Sequence, residues 1–324
     1  MDIMIADGSG YELGYLTDIL SFDLDTTESY DFEVQMDLEA FRSSGYTWQY
    51  RIYCPGTEFG GTVTDIQILS ASSTVILMGD TWRGMLRKKI IEPPAGEDYK
   101  TVSGEANAVI ASLLGSSLGS LFAVSAENSG ITVKSYQFSR YTTLEEGLCA
   151  MLLDVGAKLV ISYDQDERRV LLAAKPSATH NDYTDDQIHL TVRDYRRGIN
   201  HLICLGKGDL AARERLDLYV DASGAIGTTQ YYTGLDERVA VYDYSSTESS
   251  EELEKGGRER LKEQMDYQSA TLDVENVTDM DVGDIVEAAE TVTGLVVSEK
   301  VTGLTLTINH GVPTITYKLG DDNG

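Results

Sequence analysis

The sequence predicts a mainly β protein of the α+β class, with two antiparallel β-barrel regions separated by an α/β segment. Short alternating or β-rich runs fill residues 1 to about 90 and return after about 183, with Gly and Ser clusters between them. Residues 95 to about 180 instead carry apolar residues at helical spacing. At 324 residues the chain exceeds what one core usually supports, so we expect several domains.

The first predicted domain spans 1–92 and consists of short strands. The runs that predict them are Phe32–Met36, Trp48–Tyr53, Thr62–Leu69 and Thr74–Met78. A basic strip, Arg83 to Lys89, then precedes Pro93 and Pro94. Because proline interrupts regular structure, these two residues indicate the first boundary.

The second predicted domain, 93–182, is an α/β insertion. Ser103 is the expected N-cap of a first helix, and Thr143 that of a second, which Gly156 is placed to end. A hairpin is expected from Lys158–Ser162 and Arg169–Ala173.

The third predicted domain spans 183–324 and is again β-rich. We expect strands at His201–Leu205 and Leu216–Val220, and a largely exposed helix near 249–265 that touches the domain through its leucines. A terminal hairpin turns at Asn309-His310-Gly311.

The net charge of −27 opposes sequence-independent binding to nucleic acid, because no positive surplus releases counterions. It fits either an ordinary acidic surface or a channel wall past which DNA slides. No apolar run approaches the ~18–20 residues of a membrane span, and the N-terminus lacks signal-peptide features. Cys54, Cys149 and Cys204 lack disulfide or zinc spacing, so we expect them reduced and buried.

Candidate catalytic, cofactor-binding and metal-ligating residues are weak, and we expect none of these sites and no enzymatic activity. The glycine runs Gly8–Gly14 and Gly206–Gly208 lack dinucleotide and Walker spacing, so they are expected to form turns. The histidines form no metal-binding pair and are expected to be structural or superficial: His180, His189, His201 and His310.

Close carboxylates are numerous in so acidic a chain, and chance accounts for them: Asp23/Asp25, Asp185/Asp186 and Asp279/Asp281. The run Asp279–Asp284 lacks EF-hand residues and is expected to be a turn before a strand. The 19 tyrosines fit either interfaces or ordinary strand surfaces, and Tyr231, Tyr232, Tyr242 and Tyr244 are expected beside exposed turns.

The C-terminal third carries a resemblance to a known family. It has an apolar strand ending at Leu205, a Gly-x-Gly-acidic turn at Gly206–Asp209, an Arg-bearing strand, and an Asp-x-x-Gly turn at Asp221–Gly224. The closing pattern includes Val282–Val286 and Asn309–Gly311. This order resembles the baseplate hub proteins of phage tails, siphophage hub-like proteins included, and is similar to the N-terminal part of VgrG.

The resemblance implies two tube-like β-barrels per chain and a homotrimer that adapts a six-fold tail tube to a three-fold spike or tip. The ring would line the central channel with an acidic lumen, and DNA would pass without specific binding. The implied partners are the tail tube or distal tail protein ring, the spike or tip protein, and the tape-measure C-terminus.

The implied location is the tail of a virion or of a contractile or tailocin-like particle, assembled in the bacterial cytoplasm. Two alternatives belong to other classes. One is a β-rich carbohydrate- or receptor-binding adhesin, which predicts aromatic residues gathered in one groove. The other is a hydrolase, which requires a convergent His/carboxylate site.

Overall fold

A computed structural model of the chain describes residues 1–181, 187–247, 249–274, 279–289, 296–309 and 311–321. The strands are β1 (Met4–Ala6), β2 (Glu12–Tyr15), β3 (Ile19–Asp25), β4 (Asp31–Asp37), β5 (Arg51–Tyr53), β6 (Gly60–Leu69), β7 (Thr74–Thr81), β8 (Thr101–Glu105), β9 (Phe122–Val124), β10 (Thr132–Gln137), β11 (Ala157–Asp164), β12 (Arg169–Pro176), β13 (Thr179–His180), β14 (Ile188–Tyr195), β15 (His201–Leu205), β16 (Arg215–Val220), β17 (Ile226–Gly227), β18 (Val239–Asp243), β19 (Tyr267–Val274), β20 (Ile285–Ala289), β21 (Val296–Asn309) and β22 (Val312–Asp321). The helices are α1 (Leu38–Ser44), α2 (Trp82–Arg87), α3 (Ala106–Leu114), α4 (Leu144–Leu153) and α5 (Ser250–Gln264).

The largest sheet joins the beginning of the chain to its end. Its strands pair in the order β13-β20-β21-β3-β4-β7-β6-β5-β1-β2, and β22 pairs with β21. Thr305–Asn309 lies antiparallel to Ser21–Asp25. Thr26 fixes this register, since its hydroxyl donates to the Leu304 carbonyl at 2.9 Å and accepts from the Leu304 N–H at 3.0 Å. The mainly β prediction is confirmed, and the arrangement as two barrels stays a prediction.

The α/β segment packs on one end of this sheet. Trp82 of α2 is fully buried, stacks on Tyr163 of β11 with ring centroids 5.7 Å apart, and meets Phe122 of β9 edge-on. β11 pairs with β12 as the predicted hairpin, with a register from Ala157↔Pro176 to Asp164↔Arg169. The aromatic contacts make the first strands and the α/β segment share one hydrophobic core.

One of the two predicted N-caps is confirmed. The Thr143 hydroxyl accepts from the Glu146 N–H at 3.2 Å and caps α4, as predicted. Ser103 does not cap α3, because the helix begins only at Ala106 and Ser103 lies too far before it. Glu105 takes that role, with its carboxylate accepting from the Ala108 N–H at 2.8 Å. The longer Glu side chain reaches the same orphan donors that a Ser cap would satisfy.

Arg83 forms a buried ionic cluster within the shared core. Its side chain is 3% exposed, and its Nε lies 2.6 Å from a Glu58 oxygen. Nη1 lies 3.4 Å from Glu145, and Nη2 donates to the Leu159 carbonyl at 3.2 Å. Burial opposes ionisation of both partners and raises the pKa of Glu58, while the attraction of Glu58 outweighs burial and raises the pKa of Arg83. The predicted basic strip therefore contributes an internal cation.

Residues Leu190–Thr271 form a second compact unit. Its sheet has the order β17-β16-β15-β18, with β15 antiparallel to β16 and parallel to β18. α5 covers one face through Leu253 and Leu261, both fully buried. A Cβ at Gly257 would lie 2.5 Å from Cys204 Sγ, so glycine allows the helix to approach this sheet closely.

The first compact unit comprises Met1–His189 and Leu272–Gly324. Strand pairing joins the two ends of the chain within this unit, because β21 hydrogen-bonds to β3. The division into domains 1–92, 93–182 and 183–324 stays a prediction.

Replacing Arg83 with Met should lower the free energy of unfolding by about 3–5 kcal/mol, because buried Glu58 and Glu145 lose their common cation. Urea denaturation followed by fluorescence measures this loss. The double variant Arg83→Met/Glu58→Leu should recover part of it, since one uncompensated carboxylate is gone.

Lys318→Met is the matched control in the same unit. Lys318 pairs with Glu28 at 3.4 Å, with side chains 49% and 81% exposed, so its loss should cost under about 1 kcal/mol. Equal losses for the Arg83 and Lys318 variants would contradict a central role for the buried cluster.

Candidate functional site

One face of the main sheet carries carboxylates on four neighbouring strands, β3, β4, β7 and β6, with Met78 and Ile76 between them. Phe22, Leu24, Phe32 and Val34 alternate toward the buried side, so the intervening residues share the opposite face. Cross-strand register places the following carboxylates on that face: Asp23, Asp25, Asp31, Glu33, Asp37, Asp65 and Asp80. We call this set the acidic face.

Carboxylates of the acidic face stand directly opposite one another. Asp23 is the cross-strand partner of Glu33, and Asp31 is that of Asp80. Like charges in such positions destabilise a sheet. Burial, together with the charge of Glu33, raises the pKa of Asp23 above its ordinary value.

Hydrogen bonding stabilises one member of the face. The Asp25 carboxylate accepts from the backbone N–H groups and hydroxyls of Thr27 and Ser29. Burial opposes ionisation here, but these bonds outweigh it and lower the pKa of Asp25 to about 2. Asp25 is therefore a turn-stabilising anion rather than one half of a catalytic pair with Asp23.

Positive charge reaches the acidic face at its margins. Lys88 donates to both oxygens of Asp80 at 2.7 and 2.6 Å, and Lys318 lies 3.4 Å from Glu28. Within the described ranges, no Lys, Arg or His forms an ion pair with Asp23, Glu33 or Asp65. The centre of the face therefore carries uncompensated negative charge, which repels phosphate backbones.

The histidines are placed as structural groups where the structure describes them. His201 is buried, with Nδ1 2.7 Å from Glu237 and Nε2 2.8 Å from Asp217. His180 Nε2 lies 3.3 Å from Asp284, and His189 is exposed. His310 lies outside the described residues, as do Asp185 and Asp186. The described part of the chain holds no cluster of three His, Cys, Asp or Glu arranged for a metal.

The run Asp279–Asp284 forms the expected turn before β20, and a lysine ammonium occupies the position that a cation would take. Lys158 Nζ lies 2.7 Å from Asp281 and from Asp284, whose side chain is 1% exposed. Although burial opposes both charges, this pairing raises the pKa of Lys158 and lowers that of Asp284. Gly283 has φ 99°, and a Cβ there would lie 2.6 Å from Lys158 Cβ.

The glycine runs form turns, as predicted. Gly8–Gly14 lies in the β1–β2 hairpin, and no helix follows it. Gly206–Gly208 connects β15 toward β16. The three cysteines are free; Cys54 and Cys204 are buried, whereas Cys149 is half-buried beside Glu145. Burial raises the pKa of the Cys149 thiol to about 12, so the thiol is unreactive at neutral pH.

The tyrosines divide between core and surface. Tyr231 is 57% exposed and packs edge-on against Tyr232 at 5.0 Å. Tyr219 and Tyr231 line one open cavity of about 280 Å³ in the second unit. Tyr242, expected beside a turn, lies within β18 instead. The sequence did not predict which carboxylates of the acidic face lie opposite each other. The carboxylates that are close in sequence, such as Asp23 and Asp25, are not the cross-strand pairs, such as Asp23 and Glu33.

No described helix is long and apolar enough to cross a membrane. No protein-family model matches the chain, and no curated protein matches it significantly.

Among solved structures, the chain is similar to three phage tail and baseplate proteins. One is the prophage tail protein gp18 from Listeria monocytogenes EGD-e, with 14% identity over 100% of this chain and 96% of that chain and a TM-score of 0.48. Another is the p2 virion baseplate in its activated conformation, with 14% identity over 99% of each chain and a TM-score of 0.48. The third is the 43 kDa tail protein of prophage MuSo2 from Shewanella oneidensis, with 13% identity over 100% of this chain and 99% of that chain and a TM-score of 0.44.

Replacing Glu33 with Gln should stabilise the protein by about 0.2–1 kcal/mol at pH 7, because it removes the charge opposite Asp23. The raised pKa of Asp23 means that the folded state holds a proton more tightly than the unfolded chain. Stability is therefore lost as the pH rises from the usual Asp range through this raised pKa. The gain from Glu33→Gln should consequently be larger at pH 7 than at pH 4.

Urea unfolding at the two pH values measures the effect, and Glu92→Gln is the control. Glu92 is exposed in the loop after α2, so its neutralisation should leave stability within about 0.5 kcal/mol. A loss of stability in Glu33→Gln at pH 7 would show that the like-charge pair is not repulsive.

Proposed function

We propose that the chain is a structural, non-enzymatic hub of a phage tail or phage tail-like particle. Three copies form a ring that adapts a six-fold tail tube to a three-fold spike or tip and lines the central channel. The observation that carries this proposal is the acidic face, which extends over β3, β4, β7 and β6 and whose central carboxylates form no ion pair with a described cation.

The like-charge pairs of the acidic face lower the stability of the sheet, and an ordinary solvated surface does not need such pairs. Asp23 faces Glu33 although either position would accept a neutral polar residue such as the neighbouring Gln35. A wall that lets DNA or an acidic polypeptide slide past benefits from this charge, because carboxylates without cations repel phosphates. The proposed channel wall therefore gives a reason for the unfavourable pair of Asp23 and Glu33.

The motifs behind the family resemblance support the same proposal. Gly206–Asp209 and Asp221–Gly224 both form turns next to strands of the second unit, as the resemblance implies. Asp221 shapes its turn by accepting from the N–H groups of Ser223 and Ala225. Val282–Val286 leads into β20 through the Lys158 cluster. These motifs fix turns and carry no chemistry.

The proposed partners follow from the ring. Its six-fold side would contact the tail tube or a distal tail protein ring, and its three-fold side the spike or tip protein. The channel would pass DNA without specific binding and receive the tape-measure C-terminus. The proposed location is the virion tail or the tip of a tail-like particle.

The mass of the purified protein in solution tests the ring. Light scattering over a concentration series should give three times 35.5 kDa, and negative-stain images should show a central hole. A strict monomer at all concentrations and salt strengths would contradict an autonomous trimer.

A β-rich adhesin is the second candidate, and one observation favours it. Tyr219 and Tyr231 line the same cavity with Gln230 and Asp221, a combination of aromatic and polar groups suited to a sugar. A monomer that binds glycans through this cavity, and loses binding in Tyr231→Ala, would favour the adhesin over the hub.

Charge reversal tests whether the acidic face lines a channel. The ring of the wild-type protein should not retain duplex DNA at low salt, whereas Asp23→Lys/Glu33→Lys should bind it with strong salt dependence. A DNA-retention assay compares this variant with Glu92→Lys/Glu97→Lys, which changes the charge equally on an exposed loop. Equal retention by both variants would argue that Asp23 and Glu33 do not face an enclosing channel.

A further inference from the structure

Five outer strands of the described sheets are protected against pairing with another chain. β2 carries a bulge opposite Ile5/Ala6, and β13 and β17 have two residues each. β22 carries Pro313 near its start. β11 is covered, because Arg83 donates to the Leu159 carbonyl and Tyr163 N–H donates to Thr57. Bulges, prolines, short length and coverage are the usual ways in which proteins blunt a free edge.

β18 has none of these protections. It is five residues long and pairs with β15 in an uninterrupted parallel register from Val239↔His201 to Asp243↔Leu205. It has no proline, lysine or bulge. By the rule that governs sheet edges, β18 is therefore open to an added strand.

The free hydrogen-bonding groups of β18 belong to alternate residues. Arg238 carbonyl accepts from the His201 N–H at 3.1 Å, and Tyr244 N–H donates to the Leu205 carbonyl at 2.8 Å. These two bonds show that the backbone N–H and C=O groups of the even-numbered residues point toward β15. Val239, Val241 and Asp243 therefore point their N–H and C=O groups outward, and no described residue outside the strand pairing bonds them.

The side chains of β18 also lack cover. Val239 is 47% exposed and Val241 is 62% exposed, on the face of the sheet opposite α5. Ile203 and Tyr219 lie beside them on that face and are half-buried. Leu235, four residues before the strand, is fully exposed. Contiguous exposed apolar side chains next to an open strand edge are typical of a protein interface.

Three carboxylates beside β18 have a cationic or hydrogen-bonding partner. Asp243 contacts Arg213, Asp217 contacts Arg215 and His201, and Glu237 contacts His201. The acidic face of the first unit, by contrast, leaves its central carboxylates without cations. Copies of a chain with net charge −27 repel one another, so they can meet closely only where the negative charge is compensated.

We propose that the open edge of β18 pairs with a strand of a neighbouring copy of this chain, with Val239 and Val241 packed at the contact. The inference rests on the proposed ring and assigns one of its copy-to-copy surfaces. Six outward backbone groups of three residues then gain partners, and the exposed valines are buried. A ring needs two different surfaces per chain, and β18 supplies one of them.

Two substitutions at Val241 test the contact, with a matched control. Val241→Pro removes an outward N–H that bonds to no described residue, so the unit should still fold. Val241→Lys adds a charge to the edge. Val296→Lys is the control, because Val296 is 64% exposed and lies at the start of β21 in the other unit. Circular dichroism verifies folding of all three.

Light scattering should show the trimer mass for the wild-type protein and Val296→Lys. Both Val241 variants should shift to monomers, with the midpoint of assembly at least tenfold higher in concentration. Hydrogen exchange should also show the Val239 and Val241 amides protected in the wild-type ring and unprotected in the Val241→Lys monomer.

The outcomes separate this inference from the proposed function. Trimers that persist in both Val241 variants would overturn the proposed β18 contact but leave the proposed ring intact. The same result is expected if β18 binds a different protein. Equal dissociation by Val296→Lys would also overturn it, because the effect would then be one of added charge. A wild-type monomer would reject the ring itself.

Discussion

The buried cation of Arg83 is the interaction on which the first unit depends. It bonds Glu58 before β6, Glu145 in α4 and the Leu159 carbonyl in β11, which are far apart in sequence. An isolated charge at 3% exposure would cost several kcal/mol, so each partner is stable only in the presence of the others. The cluster thereby obliges the N-terminal sheet and the α/β segment to form one core around Trp82.

The residue before Leu159 in β11 extends this constraint to the C-terminal segment. Lys158 precedes Leu159 in β11 and holds Asp284, which also accepts from the N–H groups of Ala178 and Asp281. Asp284 positions the turn that begins β20, and β20 leads through its pairing with β21 back to β3. Two neighbouring residues of one hairpin strand therefore connect the first, middle and last segments of the chain.

Local signals predicted local structure, while the partners of each element could not be read from the sequence. Thr143 as an N-cap and His201–Leu205 as a strand depend on a few consecutive residues, and both are found as expected. Two-residue alternation tells which face of β3 carries Asp23, but not that Glu33 stands opposite it. A basic strip is usually solvated, so the burial of Arg83 depends on carboxylates that distant segments supply.

The distribution of charge differs between the acidic face and the surroundings of β18. Carboxylates at the centre of the acidic face, such as Asp23 and Glu33, form no ion pair with a described cation. Beside β18, by contrast, Arg213 and Arg215 pair with the neighbouring carboxylates. Charge repulsion acts over about 8 Å at physiological salt, so in the proposed ring this local pairing would decide where two highly acidic copies touch. The excess of carboxylates that would keep polyanions from one face would then restrict assembly to the surfaces on which it is cancelled.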